Sequence, residues 1–271
     1  MRKRIRSVWI ISILMLGLLC GCAGQEGERG KSSSDLPVVT VGCDDYSPFS
    51  YADVDGNLTG IDVELAKEAF SRMGYQPQFV FINWEDKKQL LEDGTIDCIW
   101  SSFTLNGRED EYAWAGPYMN SNQVIAVNEN SDIQTIEDLE GKIVAVQSTT
   151  KPEDIIRSHD GTFPELRKVI SVQKRDLIFI LVSKGYADAL AAHDTSVYQF
   201  MEDTGLKFRI LDKPLQSVGL GVAFDKEDFR ELNIQLNQTL AEMKQDGTTA
   251  QIIDNYLANP EKYLEGLYEE N

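Results

Sequence analysis

Histidine is nearly missing from this chain: there are two in 271 residues. Neither His159 nor His193 stands at a metal-ligand spacing from cysteine or carboxylate, so no metal site and no cofactor is expected. Cysteine is also scarce, at four, and two of the four crowd the N-terminus. Basic residues are outnumbered, 26 Lys and Arg against 44 Asp and Glu. A surface of that sign repels nucleic acid and anionic lipid, so neither is an expected partner. The apolar run Val8 to Leu19 falls short of the roughly 20 residues that span a bilayer.

That run is instead the core of a secretory leader. Arg2, Lys3, Arg4 and Arg6 form a basic head before it, and the small-residue junction Cys20-Gly21-Cys22 follows it. Leu19-Cys20-Gly21-Cys22 resembles a bacterial lipobox, which makes residues 1–21 a lipoprotein signal peptide and Cys22 the lipidated first residue. A junction at Cys20 would put Leu19 beside the cut, where a small residue belongs. Residues 22–35 are polar, Gly/Ser-rich and aperiodic, as suits a flexible tether. The expected location is extracytoplasmic, with lipid as the membrane's sole hold.

Removing the leader leaves 250 residues, with 22 basic against 44 acidic and a net charge of −22. That length buries a large core, in one big or two smaller domains. Only Cys43 and Cys98 then remain. Cys43 ends one expected strand and Cys98 begins another, about four residues or ~13 Å out of level in neighbouring parallel strands, so two free thiols are expected.

Strand and helix signals alternate along the chain. Residues 37–43 form an apolar strand and residues 51–58 a hairpin turning at Asp55-Gly56. Thr59 and Asp62 have capping-box spacing, and Ile61, Leu65, Ala69 and Met73 form a helical stripe stopped by Gly74. Strands over 77–82 and 96–101 flank a helix over 85–93, completing a βαβαβ unit with a parallel sheet. Ligands sit at the carboxyl ends of such strands, which places residues 43–46, Trp84 and residues 101–108 on one rim.

At that rim Ser101, Ser102 and Thr104 offer hydroxyls, and Arg108 a planar fork for a carboxylate, before a charged segment with helical character. The pattern restarts at Asn122. Strands are expected over 124–127, 143–146 and 187–192, with helices over 135–139, from Pro152 and over 175–184. Thr135 and Asp138 have capping-box spacing, and Ser148 to Thr150 form a second anion site at a helix start. A strand over 218–224 and a helix striped by Leu232, Leu236, Leu240 and Met243 follow. Two rims on two sheets imply a cleft between them.

In order and at family-like spacing come GCDDYSPFSYADVDGNLTGIDVELAKEAF, NWEDKKQLLEDGTIDCIWSSFT, AWAGPYM, IEDLEGKIVAVQSTT and YADALAAHD. From Val38 to Leu257 the chain resembles the family 3 bacterial extracellular solute-binding proteins, the polar amino-acid receptors of ABC importers. The resemblance implies an α/β, two-lobed periplasmic-binding-protein-like fold of type II, with each lobe a mostly parallel sheet flanked by helices. Two crossing strands, near 120–123 and 217–219, would join a discontinuous lobe I (36–122 and 218–271) to lobe II (123–217). It also implies an amino acid in the cleft, a membrane permease as partner and a monomeric receptor.

The same resemblance implies the site. Tyr46 and Trp84 occupy the positions of ligand-flanking rings. Ser101, Ser102 and Thr104 form the corner, and Arg108 is the carboxylate clamp. Thr149 and Thr150 supply the second lobe's carboxylate contacts, Asp194 holds the α-ammonium, and His193 is a secondary lining residue. The chain departs from the family pattern at three points. The family has one more residue between the corner threonine and the arginine, and Asp194 comes one residue late after Asp188. Cys43 stands where relatives that bind basic or some polar side chains have an aspartate, which leaves Asp44 or Asp45 as substitutes.

Two other function classes fit the scaffold: a dehydratase-like enzyme, and a sensor feeding a signalling partner. An enzyme needs a general acid or base aimed at a leaving group. Only His193 beside Asp194 is available for that, and Asp194 is assigned to the ligand, so the sequence favours a receptor without catalysis.

Overall fold

The computed structural model describes residues 36–158, 163–228 and 230–267. The leader, Cys22, the tether and His159 lie outside those residues. No described helix is long and apolar enough to cross a membrane.

The first half begins with β1 (Val38–Cys43), the short hairpin β2 (Tyr51–Ala52) and β3 (Leu58–Thr59), and helix α1 (Ile61–Arg72). β4 (Gln76–Phe81), a 3-10 turn at Trp84–Asp86, α2 (Lys87–Glu92) and β5 (Cys98–Thr104) complete the unit. β1 pairs in parallel with both β4 and β5. The second half has β7 (Ile143–Gln147), α3 (Lys151–Arg157), β8 (Lys168–Val172), α4 (Asp176–Ser183), β9 (Ala189–His193), α5 (Asp194–Thr204) and β10 (Phe208–Ile210). There β7 pairs in parallel with β8 and β9.

Two long strands, β6 (Ala113–Asn128) and β11 (Gln216–Phe224), tie the halves together. The order is β4-β1-β5-β11-β6-β9-β7-β8, with β10 on β6. β11 is antiparallel to β5 and β6, and β6 to β9. Two parallel blocks thus meet through an antiparallel centre, in the expected α/β architecture. The tail adds α6 (Leu232–Gln245) and α7 (Thr248–Asp254) on the first half.

Helical periodicity explains the cores. Ile61, Leu65 and Ala69 are fully buried on α1, as are Leu236 and Met243 on α6, and these stripes close over Val39, Val41 and Trp100 of the sheet. The opposite face holds Ile96, Ile99 and Phe103. In the second half α4 and α5 bring Phe179 and Phe200 into a stack, with centroids 4.2 Å apart.

Several local expectations are corrected. The segment after Arg108 is a chain of turns rather than a helix. Gly107 takes φ 74°, and Tyr112 and Trp114 already pack on Phe103, leaving no room for a helix before β6 begins. The Thr59/Asp62 capping box does not form. Gly60 is the N-cap, with φ 122°, and a Cβ there would come within 2.3 Å of the Phe49 carbonyl oxygen. Thr59 turns to the Tyr256 hydroxyl, and Asp62 turns inward. The helix at 135–139 contracts to a 3-10 turn at Glu137–Leu139, although Asp138 does accept from the Thr135 N–H. β6 is one unbroken strand of sixteen residues, where the expected strand began at Val124. Val41 pairs with Cys98, so the two cysteines are two residues out of level rather than four, and both are buried free thiols.

Candidate functional site

The carboxyl end of β5 and the turn at Trp84 face the turn after β7 and the end of β9 across a cavity of about 20 Å³. Trp84, Ser102, Thr104 and Arg108 line it from the first half, and Thr149, Thr150 and His193 from the second. Seven residues singled out in the sequence therefore meet at one place. Gln123, Arg175 and Lys151 line it too, and sequence reasoning missed all three.

The backbone at the cavity is unusual. Four described non-glycine residues have positive φ, and two of them, Ser102 (42°) and Thr149 (55°), line the cavity. Such conformations persist only where the surroundings enforce them. Asp62 does so for Ser102: it is 1 % exposed, its Oδ2 accepts from the Ser102 N–H at 2.5 Å and its Oδ1 from the Tyr118 hydroxyl at 2.7 Å. Burial pushes the Asp62 carboxyl up to about 7, against the pull of those two donors.

Arg108 is almost buried. Its Nη2 donates to Asp154 Oδ2 at 2.6 Å and its Nη1 to the Thr104 carbonyl at 3.4 Å, over the Phe103 ring. Lys87, three residues beyond Trp84 on the same helical turn, crosses to the other half and donates to Thr149 Oγ1 at 2.9 Å and to its carbonyl at 3.2 Å. Burial lowers the Lys87 ammonium to about 8, and the Arg108 charge pushes the same way. Thr150 donates to the Gln147 carbonyl, and the Thr149 N–H donates to Glu153 Oε2 at 2.7 Å. The start of α3 is therefore already held by an acid of its own first turn.

His193 sits at the end of β9, between Ser121 Oγ and Gln123 Nε2, each 2.9 Å from a ring nitrogen. Gln123 Nε2 is a donor, so His193 Nε2 accepts and the proton lies on Nδ1, toward Ser121. Desolvation drives the ring down to about 3, with the Arg175 charge adding to it, so the imidazole is neutral.

Three expected residues lie off the cavity lining. Ser101 Oγ sits behind it, accepting from the Asp44 N–H and touching Ser50 Oγ. The Tyr46 hydroxyl donates to Ser196 Oγ, and its ring is covered by the Arg175 guanidinium, 3.3 Å from the centroid. Asp194 begins α5, where its Oδ1 accepts from the Thr195 N–H and its Oδ2 from Asn122. His193 takes the lining position one residue earlier, which is the offset already visible after Asp188. The Cys43 thiol points to the Val80 carbonyl, and burial with the charges of Asp62, Asp44 and Asp45 pushes it up to about 12. Asp44 accepts from Gln147 Nε2 at 2.7 Å and from Arg175 Nη2 at 3.4 Å.

Four buried atoms of lining residues lack a hydrogen-bond partner in the protein: the hydroxyl Ser102 Oγ, the acceptor Gln123 Oε1, and the donors Trp84 Nε1 and Arg175 Nε. Buried polar atoms left unmatched are costly, and these four belong to residues around one cavity.

Residues 39–259 match the description "Bacterial extracellular solute-binding proteins, family 3". The chain is 32 % identical over 211 residues to a putative amino-acid ABC transporter-binding protein, PatH, of Vibrio harveyi, covering 76 % of this chain and 83 % of that one. It is 31 % identical over 228 residues to the histidine-binding periplasmic protein of Escherichia coli K12, covering 80 % and 86 %. A solved ancestral amino acid-binding protein, a precursor of cyclohexadienyl dehydratase, shares the fold at TM-score 0.72 and 30 % identity, covering 81 % of this chain and 95 % of that one. The match runs through the strand ends and turns that build the cavity, and this chain belongs to the family 3 bacterial extracellular solute-binding proteins.

Proposed function

We propose that the protein is an extracytoplasmic receptor that closes on a single amino acid and presents it to the membrane permease of an ABC importer. The observation that carries this reading is the cavity itself. It is small, lies at the carboxyl ends of two parallel blocks, and its lining residues carry unmatched donors and acceptors beside a buried arginine. Arg108, with Thr149 and Thr150, takes the α-carboxylate; Ser102 Oγ and Gln123 Oε1 accept from the ammonium, and Trp84 walls the ligand's body. Residues 36–122 and 218–271 act as one lobe and 123–217 as the other, with β6 and β11 as the hinge. The receptor works as a monomer, tethered by lipid on Cys22.

A receptor is favoured over an enzyme on this scaffold because both ring nitrogens of His193 are engaged by Ser121 and Gln123, and Asp194 holds a helix start. Neither is aimed at a leaving group. A thermal-shift screen of the folded protein against the twenty amino acids tests the reading. A ligand at 100 times its Kd adds about 2.7 kcal/mol of stability, which is a clear shift. A protein that none of the twenty stabilises is not an amino-acid receptor.

A further inference from the structure

The charges around the cavity are of one sign. Arg108, Lys151 and Arg175 line it, and among the described residues no carboxylate does. Lys87 stands just behind, 4.9 Å from the Trp84 ring centroid, and its hydrogen bonds go to uncharged oxygens. His193 is neutral and adds nothing of either sign.

Several protein acids answer these cations from outside the lining, Glu109 acting on Lys151, Asp176 on Arg175 and Glu111 on Lys87. Asp154 holds Arg108 but is half exposed, and Asp44 reaches Arg175 only at 3.4 Å, while the Arg175 Nε is without a partner. An ordinary zwitterion brings one carboxylate, for Arg108, and none for the unpartnered Arg175 Nε. A basic side chain fares worse. The Tyr46 face that could hold a cation is already covered by Arg175, and the position that would supply an aspartate carries the protonated Cys43 thiol, turned away to Val80.

We propose that the site is built for an acidic amino acid, whose side-chain carboxylate is held by Arg175 and Lys151 while its α-carboxylate meets Arg108. This rests on the receptor reading and names its ligand class. The planar fork of Arg175, fixed against Tyr46, sets the specificity, because it favours a second carboxylate and repels a side-chain cation. Lys151, at the start of α3, adds a second donor.

Calorimetric titration of the full-length protein with L-glutamate, L-aspartate, L-glutamine, L-asparagine, L-histidine and L-arginine tests this. At least one acid should bind more than about tenfold tighter than its own amide, a difference of ~1.4 kcal/mol, with histidine and arginine weaker still. In Arg175→Gln, and separately in the half-buried Lys151→Gln, that ratio should fall toward one. Lys151→Gln keeps the test open should the buried Arg175→Gln fail to fold. If an amide or a basic amino acid binds as tightly as both acids, the acidic-ligand inference is overturned and the receptor reading stands. An acid preference unchanged in both variants overturns the assignment to these two side chains. If the folded protein binds no amino acid at all, the receptor reading falls and this one with it.

Discussion

Arg108 Nη2 and Asp154 Oδ2 lie 2.6 Å apart, so the arginine proposed as the clamp for a ligand's carboxylate already holds a carboxylate of the protein. The pair joins the turn after β5 to the first turn of α3 and closes the cleft alongside the Lys87 to Thr149 contacts. A ligand must take over part of that fork. Asp154 is half exposed, and pairs of this kind contribute about 0–1 kcal/mol. Asp154→Asn should therefore tighten ligand binding, by up to about fivefold in calorimetry. Weaker binding in that variant would make Asp154 a support for Arg108 rather than its competitor.

Arg108 and Asp194 should respond very differently to truncation. Arg108→Ala leaves a ligand carboxylate buried without its partner, a loss of about 2–5 kcal/mol and at least ~30-fold in affinity. Asp194→Asn keeps its place at the start of α5 and loses mainly the charge-assisted contact to the Thr195 N–H. Losing an acid from the first turn should cost about 0.3–1 kcal/mol of stability in urea unfolding and leave affinity within roughly twofold. An affinity loss in Asp194→Asn as large as that of Arg108→Ala would return Asp194 to the ammonium role that the resemblance implies.

Asp62 should give the fold a pH slope of its own. Its folded carboxyl titrates near 7, above the ordinary carboxylate range, so the folded state keeps a proton that the unfolded chain has lost. The stabilisation is full below the unfolded value and is lost as pH rises through about 7. His193, depressed to about 3, works the other way, its contribution falling away as pH drops from about 6.5 toward 3. Chemical unfolding of the parent and of Asp62→Asn at several pH values separates the two. The parent's advantage over the variant should shrink between about pH 4 and 7, and an advantage that is flat with pH would place the Asp62 titration elsewhere.

Closure should be visible in solution. β6 and β11 are the long strands between two parallel blocks, and side chains from both blocks meet at the cavity. Ligand contacts made from both sides favour the compact arrangement. Small-angle scattering should give a smaller radius of gyration with a verified ligand, in contrast to superimposable curves from a rigid cleft.

Lipidation at Cys22 is open to a direct check. Cys22→Ser, expressed in a bacterial host, should be released from the membrane fraction or migrate as unprocessed precursor. Unchanged mobility together with continued membrane association would rule out the lipid anchor at that position.

Much of the fold was legible in the chain because it rests on local periodicity. The α1 stripe at Ile61, Leu65 and Ala69 and the α6 stripe at Leu236 and Met243 are buried as their spacing requires. The ordered motifs carried the family, and with it Trp84, Ser102, Thr104, Arg108, Thr149, Thr150 and His193 as neighbours at one cavity. Long-range partners left no mark in the sequence. Asp62 reads as a helix-capping acid at its spacing from Thr59, yet it binds a backbone N–H forty residues away. Arg175 reads as the first residue of an apolar helix, yet its guanidinium covers Tyr46 and enters the cavity. Periodicity reports which face of an element turns inward, because that depends on neighbours three or four residues apart. Where a long polar side chain ends depends on how separate elements approach one another, and only the tertiary structure decided that for Lys87, Gln123, Arg175 and the Arg108–Asp154 pair.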